Sequence, residues 1–173
     1  MAATTPKITT ISNYVKDTTL PLIDGNDPYN FNLGNGTISK DYRAPGDVGA
    51  DQMPAVFILT DGPNLWAPLT ALEYSSGNAP QDITLGYVLR FIGYVSVADP
   101  GDQQLTGALT DEMNKLISDI IIATHSDRSL GSNVDAITLL GTDTSLEFWQ
   151  QNIGVVEAWF SLKYDINPSN NVT

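Results

Sequence analysis

The order of elements across residues 105–166 constrains this chain most. A one-sided helix runs into the turn Asp127-Arg128-Ser129-Leu130-Gly131, and an apolar strand follows over 134–140. The last element, 153–166, alternates strictly. Val156, Ala158, Phe160, Leu162, Tyr164 and Ile166 share one face, and Val155, Glu157, Trp159, Ser161, Lys163 and Asp165 share the other. Successive side chains in a strand point to opposite faces, so a slip of one residue would bury the charged set.

The helix is expected over 105–124. Leu109, Met113, Leu116, Ile117, Ile120 and Ile121 fall on one stripe, while Asp111, Asn114, Lys115, Ser118 and Asp119 take the other face. A helix of this kind packs on a sheet. Its natural partner is a second alternating strand at 83–97. The odd face there carries Ile83, Leu85, Tyr87, Leu89, Phe91, Gly93, Val95 and Val97. The even face holds Thr84, Arg90, Tyr94 and Ser96 but also Val88 and Ile92, so partial burial is expected there too.

Upstream, 53–59 reads as a first strand with Pro54 at its start, because proline has no N–H to give to a ladder. Ile8, Ile11, Val15 and Leu20 suggest a short helix over 8–20, weakened by four threonines and ended by Pro21. Residues 24–53 are loop-like, with turn chemistry at Asp24-Gly25-Asn26-Asp27-Pro28 and Asn32 to Gly36. Asp143-Thr144-Ser145 also reads as a turn. The expected class is α+β, a mostly antiparallel sheet packed by one main helix, in the order helix-β-β-α-β-β. The 173 residues form a single domain with loop-rich insertions at about 24–52 and 62–81.

The chain has no cysteine, which removes disulfides, thiolate catalysis and cysteine-based metal sites. Eight Lys and Arg face twenty Asp and Glu, for a formal charge of −12. A surface of that sign repels phosphate backbones, since nucleic-acid binders cluster cations. It keeps the protein soluble, and it would also let DNA slide past without sticking. The segment Met-Ala-Ala-Thr-Thr-Pro at the start lacks the basic and apolar regions of a signal peptide, so none is expected. No apolar run approaches the roughly 20 residues that span a bilayer, so no membrane partner is expected. The glycosylation triplets at Asn35 and Asn171 carry no weight without a secretion signal.

Catalytic chemistry finds no constellation. His125, the one histidine, is expected at the helix C-terminus, where the dipole favours a cation. Without a second histidine or a cysteine it builds no common zinc site. No G-x-S-x-G elbow or phosphate loop occurs. Glu157 lies on the more polar strand face and reads as structural, and the loop at Asp24 lacks the alternating ligands of a calcium site. No catalytic, metal or cofactor residue is assigned, and no cofactor or enzyme activity is expected.

Five residues are candidates for a subunit or partner interface. Trp66, Phe148 and Trp149 fall in connections, where aromatic residues either anchor interfaces or cap core ends. Arg43 and Arg128 stand out because cations are scarce. Each could meet a carboxylate across a subunit boundary or form a surface salt bridge. Trp159, on the minor face of the last strand, is either part of a second small core or covered by a neighbour.

With those residues in place, 105–166 resembles the tail terminator and minor tail (tail-completion) proteins of long-tailed bacteriophages. The shared pattern is a Leu-rich helix, the Asp127-Arg128-Ser129-Leu130-Gly131 segment, an apolar strand, an acidic-polar turn, and a closing strand ending in Leu162-Lys163-Tyr164. Residues 53–59 and 83–97 fit the preceding hairpin, and the N-terminal helix fits the family's opening helix. Asn133 departs from the pattern, which has a small or apolar residue there. The resemblance implies a ring of identical subunits, usually a hexamer, that caps the tail tube protein and meets a head-side connector or neck protein. Genomic DNA would cross its lumen without specific binding. The location implied is the virion tail or neck, after assembly in the host cytoplasm. Two other readings remain: a small soluble α+β enzyme or ligand-binding domain with a pocket lined by carboxylates, and a mainly helical head–tail connector adaptor.

Overall fold

The structure is a computed structural model and describes residues 6–34, 37–61, 83–98 and 105–166. Its elements are α1 (Lys7–Tyr14), β1 (Ile38–Ser39), β2 (Ala55–Asp61), β3 (Ile83–Ser96), α2 (Leu105–Ser126), β4 (Ala136–Ser145) and β5 (Ile153–Ile166). They build an α+β fold with one five-stranded mixed sheet in the order β1-β2-β3-β5-β4. β1 runs parallel to β2, and every other neighbouring pair is antiparallel.

The β3–β5 pair is the spine. It is in register from Ile83 opposite Ile166 to Ser96 opposite Ile153. Alternation then sends Leu89, Phe91, Val95, Val156, Ala158, Phe160, Leu162 and Tyr164 to one face. The α2 stripe of Leu109, Met113, Leu116, Ile120 and Ala123 closes over them, fully buried or nearly so. Phe91 and Phe160 meet edge to face at 5.5 Å, a favoured arrangement of ring quadrupoles. Desolvation in this layer, followed by Tyr87 nearby, pushes the Tyr164 phenol up to about 12.

Gly93 explains how closely α2 approaches. A Cβ there would stand 2.6 Å from Val156 Cγ2 and 2.8 Å from Leu116 Cδ2. The missing side chain lets the helix rest directly on the sheet. No described helix is long and apolar enough to cross a membrane.

The opposite face carries a second, smaller core. Val48, Ala55, Phe57, Ile92, Tyr94, Ile153 and Val155 are buried together. The partial burial expected of the even face of β3 is therefore real at Ile92 and Tyr94.

Several sequence expectations change. The first helix does not stop at Pro21: α1 continues as a widened turn, Val15–Thr19, and a 3-10 turn, Leu20–Leu22. Pro21 lies at the start of that last turn, where a missing N–H matters least. The 24–53 segment is not simply loop, since it contains β1 and the 3-10 turns Pro45–Asp47 and Ala50–Gln52. Asp143-Thr144-Ser145 is strand rather than turn: Thr144 pairs with Val156 and Ser145 with Val155. A register shift between Leu139 and Gly141 absorbs Leu140, so the ladder resumes beyond the apolar run. The insertion at 62–81, the stop at Asp99 to Asp102, the Asn35-Gly36 turn, Asn171 and the polar tail lie outside the described residues.

Asp119 is the largest correction. It is not on the solvent face of α2 but fully buried. Its carboxylate accepts Asn30 N–H at 2.9 Å, Asn30 Nδ2 at 2.7 Å and Phe31 N–H at 2.9 Å. A buried charge needs such donors, because desolvation without them is prohibitive. The loop after Asp24 is thus pinned to the helix. Its own turn is closed by Asp24, which accepts Asn26 N–H at 2.9 Å. These bonds, first that from the Asn26 backbone, hold the Asp24 carboxyl below its usual range.

Two substitutions test this account. Asp119→Ala leaves buried N–H donors unpaired and should lower stability by about 3 kcal/mol in urea unfolding. Gly93→Ala should lower it by about 1–3 kcal/mol through overpacking against Leu116 and Val156. Unchanged unfolding midpoints would contradict the respective contacts.

Candidate assembly surfaces

The interface candidates divide between two places. Arg43 and Phe148 converge on the second core: Phe148 packs against its cluster, and the Arg43 guanidinium lies 5.7 Å from the Phe57 ring centroid. The Arg43 carbonyl accepts the Tyr94 hydroxyl at 2.9 Å, and Arg43 NH1 donates to Gln52 Oε1 at 3.1 Å. Tyr42 meets Phe57 edge-on at 5.9 Å while half exposed. Burial, then the neighbouring Tyr42 hydroxyl, drives the Tyr94 phenol far above its usual value. Arg43 has no carboxylate at ion-pair distance among the described residues, so its charge is held against the Phe57 ring and the Gln52 amide.

Arg128 lies apart, exposed in the turn after α2. Asp127 organises that turn. One oxygen accepts Ser129 N–H at 3.0 Å and Ser129 Oγ at 2.7 Å. The other accepts Gly131 N–H at 2.6 Å and the Tyr14 hydroxyl at 3.0 Å. Leu130, Gly131 and Ser132 all adopt positive φ, at 46°, 66° and 65°. Glycine is needed in the middle, because a Cβ at Gly131 would stand 2.5 Å from the Tyr14 ring. α1, the turn and the end of α2 are therefore one locked unit that carries Arg128 outward. The Ser129 hydroxyl, then Gly131 N–H and Tyr14, hold the Asp127 carboxyl below its usual range against the opposing effect of burial.

Trp149 begins the 3-10 turn Trp149–Gln151, and Trp66 lies outside the described residues. His125 sits in the last turn of α2, with Nδ1 3.0 Å from Ile121 O and its ring 5.8 Å from Phe160. This is a packed structural position.

One feature of the helix-free face was hidden in the sequence. Arg90 donates to Glu157 Oε2 through Nε at 2.9 Å and NH2 at 2.7 Å, and its guanidinium lies 6.0 Å from the Trp159 ring centroid. Both members of the ion pair keep about a quarter to a third of their side chain in solvent, at 30% and 25%. The signal existed, since all three residues occupy polar faces of alternating strands. Only the register that sets Arg90 opposite Trp159 and Ile92 opposite Glu157 brings them together.

Two hollows flank the sheet. One, of about 500 Å³, lies between the 3-10 turns and the ends of β3 and β5, and among the described residues its lining includes Met53, Val97, Gln151 and Asn152 but no carboxylate. The other, of about 290 Å³, runs between α1 and β2 and is lined by Ile8, Thr9, Ser12, Lys40, Ile58, Leu59 and Thr60. No group of three or more metal-ligating side chains occurs among the described residues.

The Asp127 lock has a defined pH signature. A folded-state carboxyl with a depressed pKa adds stability above its unfolded value of about 3.9, and that stability fades as pH falls through the lower folded value. The wild type should therefore exceed Asp127→Asn in urea midpoint at neutral pH, with the gap narrowing below about pH 4. A gap independent of pH would contradict the charged role of Asp127. No protein-family model matches the chain, and no curated protein matches it.

Proposed function

We propose that this chain is a virion structural protein that forms a ring at the head-proximal end of a phage tail tube. In this role it stops tube growth and joins the tail to the neck connector, while DNA passes through the lumen. The observation that carries the reading is the element order: an opening helix, a strand pair, a long helix on the sheet, the Asp127 turn, and a closing strand pair. That order is the one expected of a tail terminator.

Two properties add support. The formal charge of −12 suits passage of DNA without adhesion, since phosphates find few cations to bind. The helix-free face carries half-exposed Tyr42 beside Arg43 and the ion pair of Arg90 with Glu157, a mix of aromatic and charged groups suited to subunit contacts. Closed rings need two different surfaces on each copy, which a sheet with separate edges supplies. A ligand-binding domain is the second reading, and the hollow of about 500 Å³ at the end of β3 is the observation in its favour.

Negative-stain microscopy of the purified protein, alone and mixed with tail tubes, tests the proposal. Rings with a central hole, or caps on one tube end, are expected. Particles that stay monomeric and ignore tubes would contradict it and favour the ligand-binding reading.

A further inference from the structure

The sheet ends in two free edges of different character. At one end β1 covers only Val56 and Phe57 of β2, so among the described residues no strand pairs with the outer edge of β2 over 58–61. That open edge forms one side of the 290 Å³ groove, walled by Ile8, Thr9 and Ser12 of α1 and by exposed Lys40. At the other end, β4 pairs with β5 on one side only among the described residues. It is mostly exposed, and its irregularity leaves Leu140 50% exposed among otherwise polar residues such as Thr142, Asp143 and Thr144.

We propose that the β4 edge of one copy adds to the open β2 edge of the next, with Leu140 entering the groove beside α1. This contact rests on the ring reading and names the surfaces that close it.

Three observations select a second copy of the chain as the occupant. The first is direction. β2, β3, β5 and β4 alternate, so β4 runs opposite to β2. Copies related by rotation would therefore meet β4 to β2 in antiparallel pairing, with the same sheet face turned inward throughout. The second is charge. Lys40 bonds to the neutral Asn13 amide and has no carboxylate at ion-pair distance among the described residues, while β4 presents exposed Asp143. In a chain with eight cations, one at the mouth of the groove matches an acidic strand better than a basic or neutral one. The third is shape. Leu140 is a half-exposed apolar side chain at one edge, and the groove at the other edge offers part-buried Ile8 and Leu59 on a mostly polar wall. Ladder hydrogen bonds would supply affinity, while the apolar contact and the charge pair would fix the register.

The absence of native cysteine makes the test direct. A full-length Thr60→Cys, Leu140→Cys double variant, oxidised at ring-forming concentration, should give a ladder of disulfide-linked oligomers up to the ring number. Each single variant should stay unlinked. Dimers from Leu140→Cys alone would mean that β4 pairs with itself about a two-fold axis and would overturn the proposal. Rings seen by microscopy without a ladder would overturn this contact and leave the ring. A wild-type chain that never assembles, alone or on tubes, would overturn both. A charge exchange guards against misfolding by the cysteine variants. Lys40→Glu and Asp143→Lys should each reduce assembly at least tenfold in the concentration required, and their combination in one chain should restore it. Failure of the combination to restore assembly, with each variant folded by circular dichroism, would count against the contact.

Discussion

The pairing of β3 with β5 is the constraint on which the rest of the molecule depends. It runs unbroken from Ile83 opposite Ile166 to Ser96 opposite Ile153, and it serves two cores at once. One face receives α2 through Leu89, Phe91, Val156 and Phe160, and the other receives Val48 and Phe57 on Ile92, Tyr94 and Val155. A single-residue slip of β5 would exchange its two sets and place Glu157 beneath the helix, and a slip of β3 would do the same to Arg90. The register is thus over-determined, because each face alone would select it. The flanking strands take their places from this pair, β2 on β3 and β4 on β5.

Polar groups then fix what the hydrophobic layers leave loose. Asp119 reaches from within the main core to the backbone of Asn30 and Phe31, and Asp127 gathers Ser129, Gly131 and Tyr14. Each carboxylate ties a segment without regular structure to α2 or to its end. The energetic logic is the same in both. A charge near or inside the core is tolerable only when several donors surround it, and a loop whose backbone supplies them loses its freedom to move independently. Asp119 fixes the approach to β1, and Asp127 fixes the angle between α1 and α2.

Much of this was legible in the residues. The periods of β3, α2 and β5 announced their faces, and the two-sided burial of β3 was implicit in Val88 and Ile92. What periodicity missed was set by distant partners. Asp119 reads as a surface position until Asn30 covers it, because no local pattern reports a loop folded over a helix from 89 residues away. β4 reads as ending at its apolar run, since a register shift lets polar residues continue the ladder on an exposed edge. Among the interface candidates, Phe148 turned out to pack on the second core and Arg43 to lie over Phe57, so both contribute within the chain. The pair of Arg90 with Glu157 was invisible for a related reason: it needs the β3–β5 register, which the sequence implies but does not align.

The sheet is an unfinished object, with a short, partly covered edge of β2 beside α1 and a long polar edge at β4. Ring closure would pair each with the other and reduce the exposed ladder, the usual remedy for free strand edges. A reconstruction by electron cryo-microscopy of the protein on tail tubes tests this most directly. The account predicts a closed ring with a central channel, this fold in every subunit, and β4 of each copy beside β2 of the next. A two-fold dimer joined through β4, or a lone subunit with both edges in solvent, would contradict it.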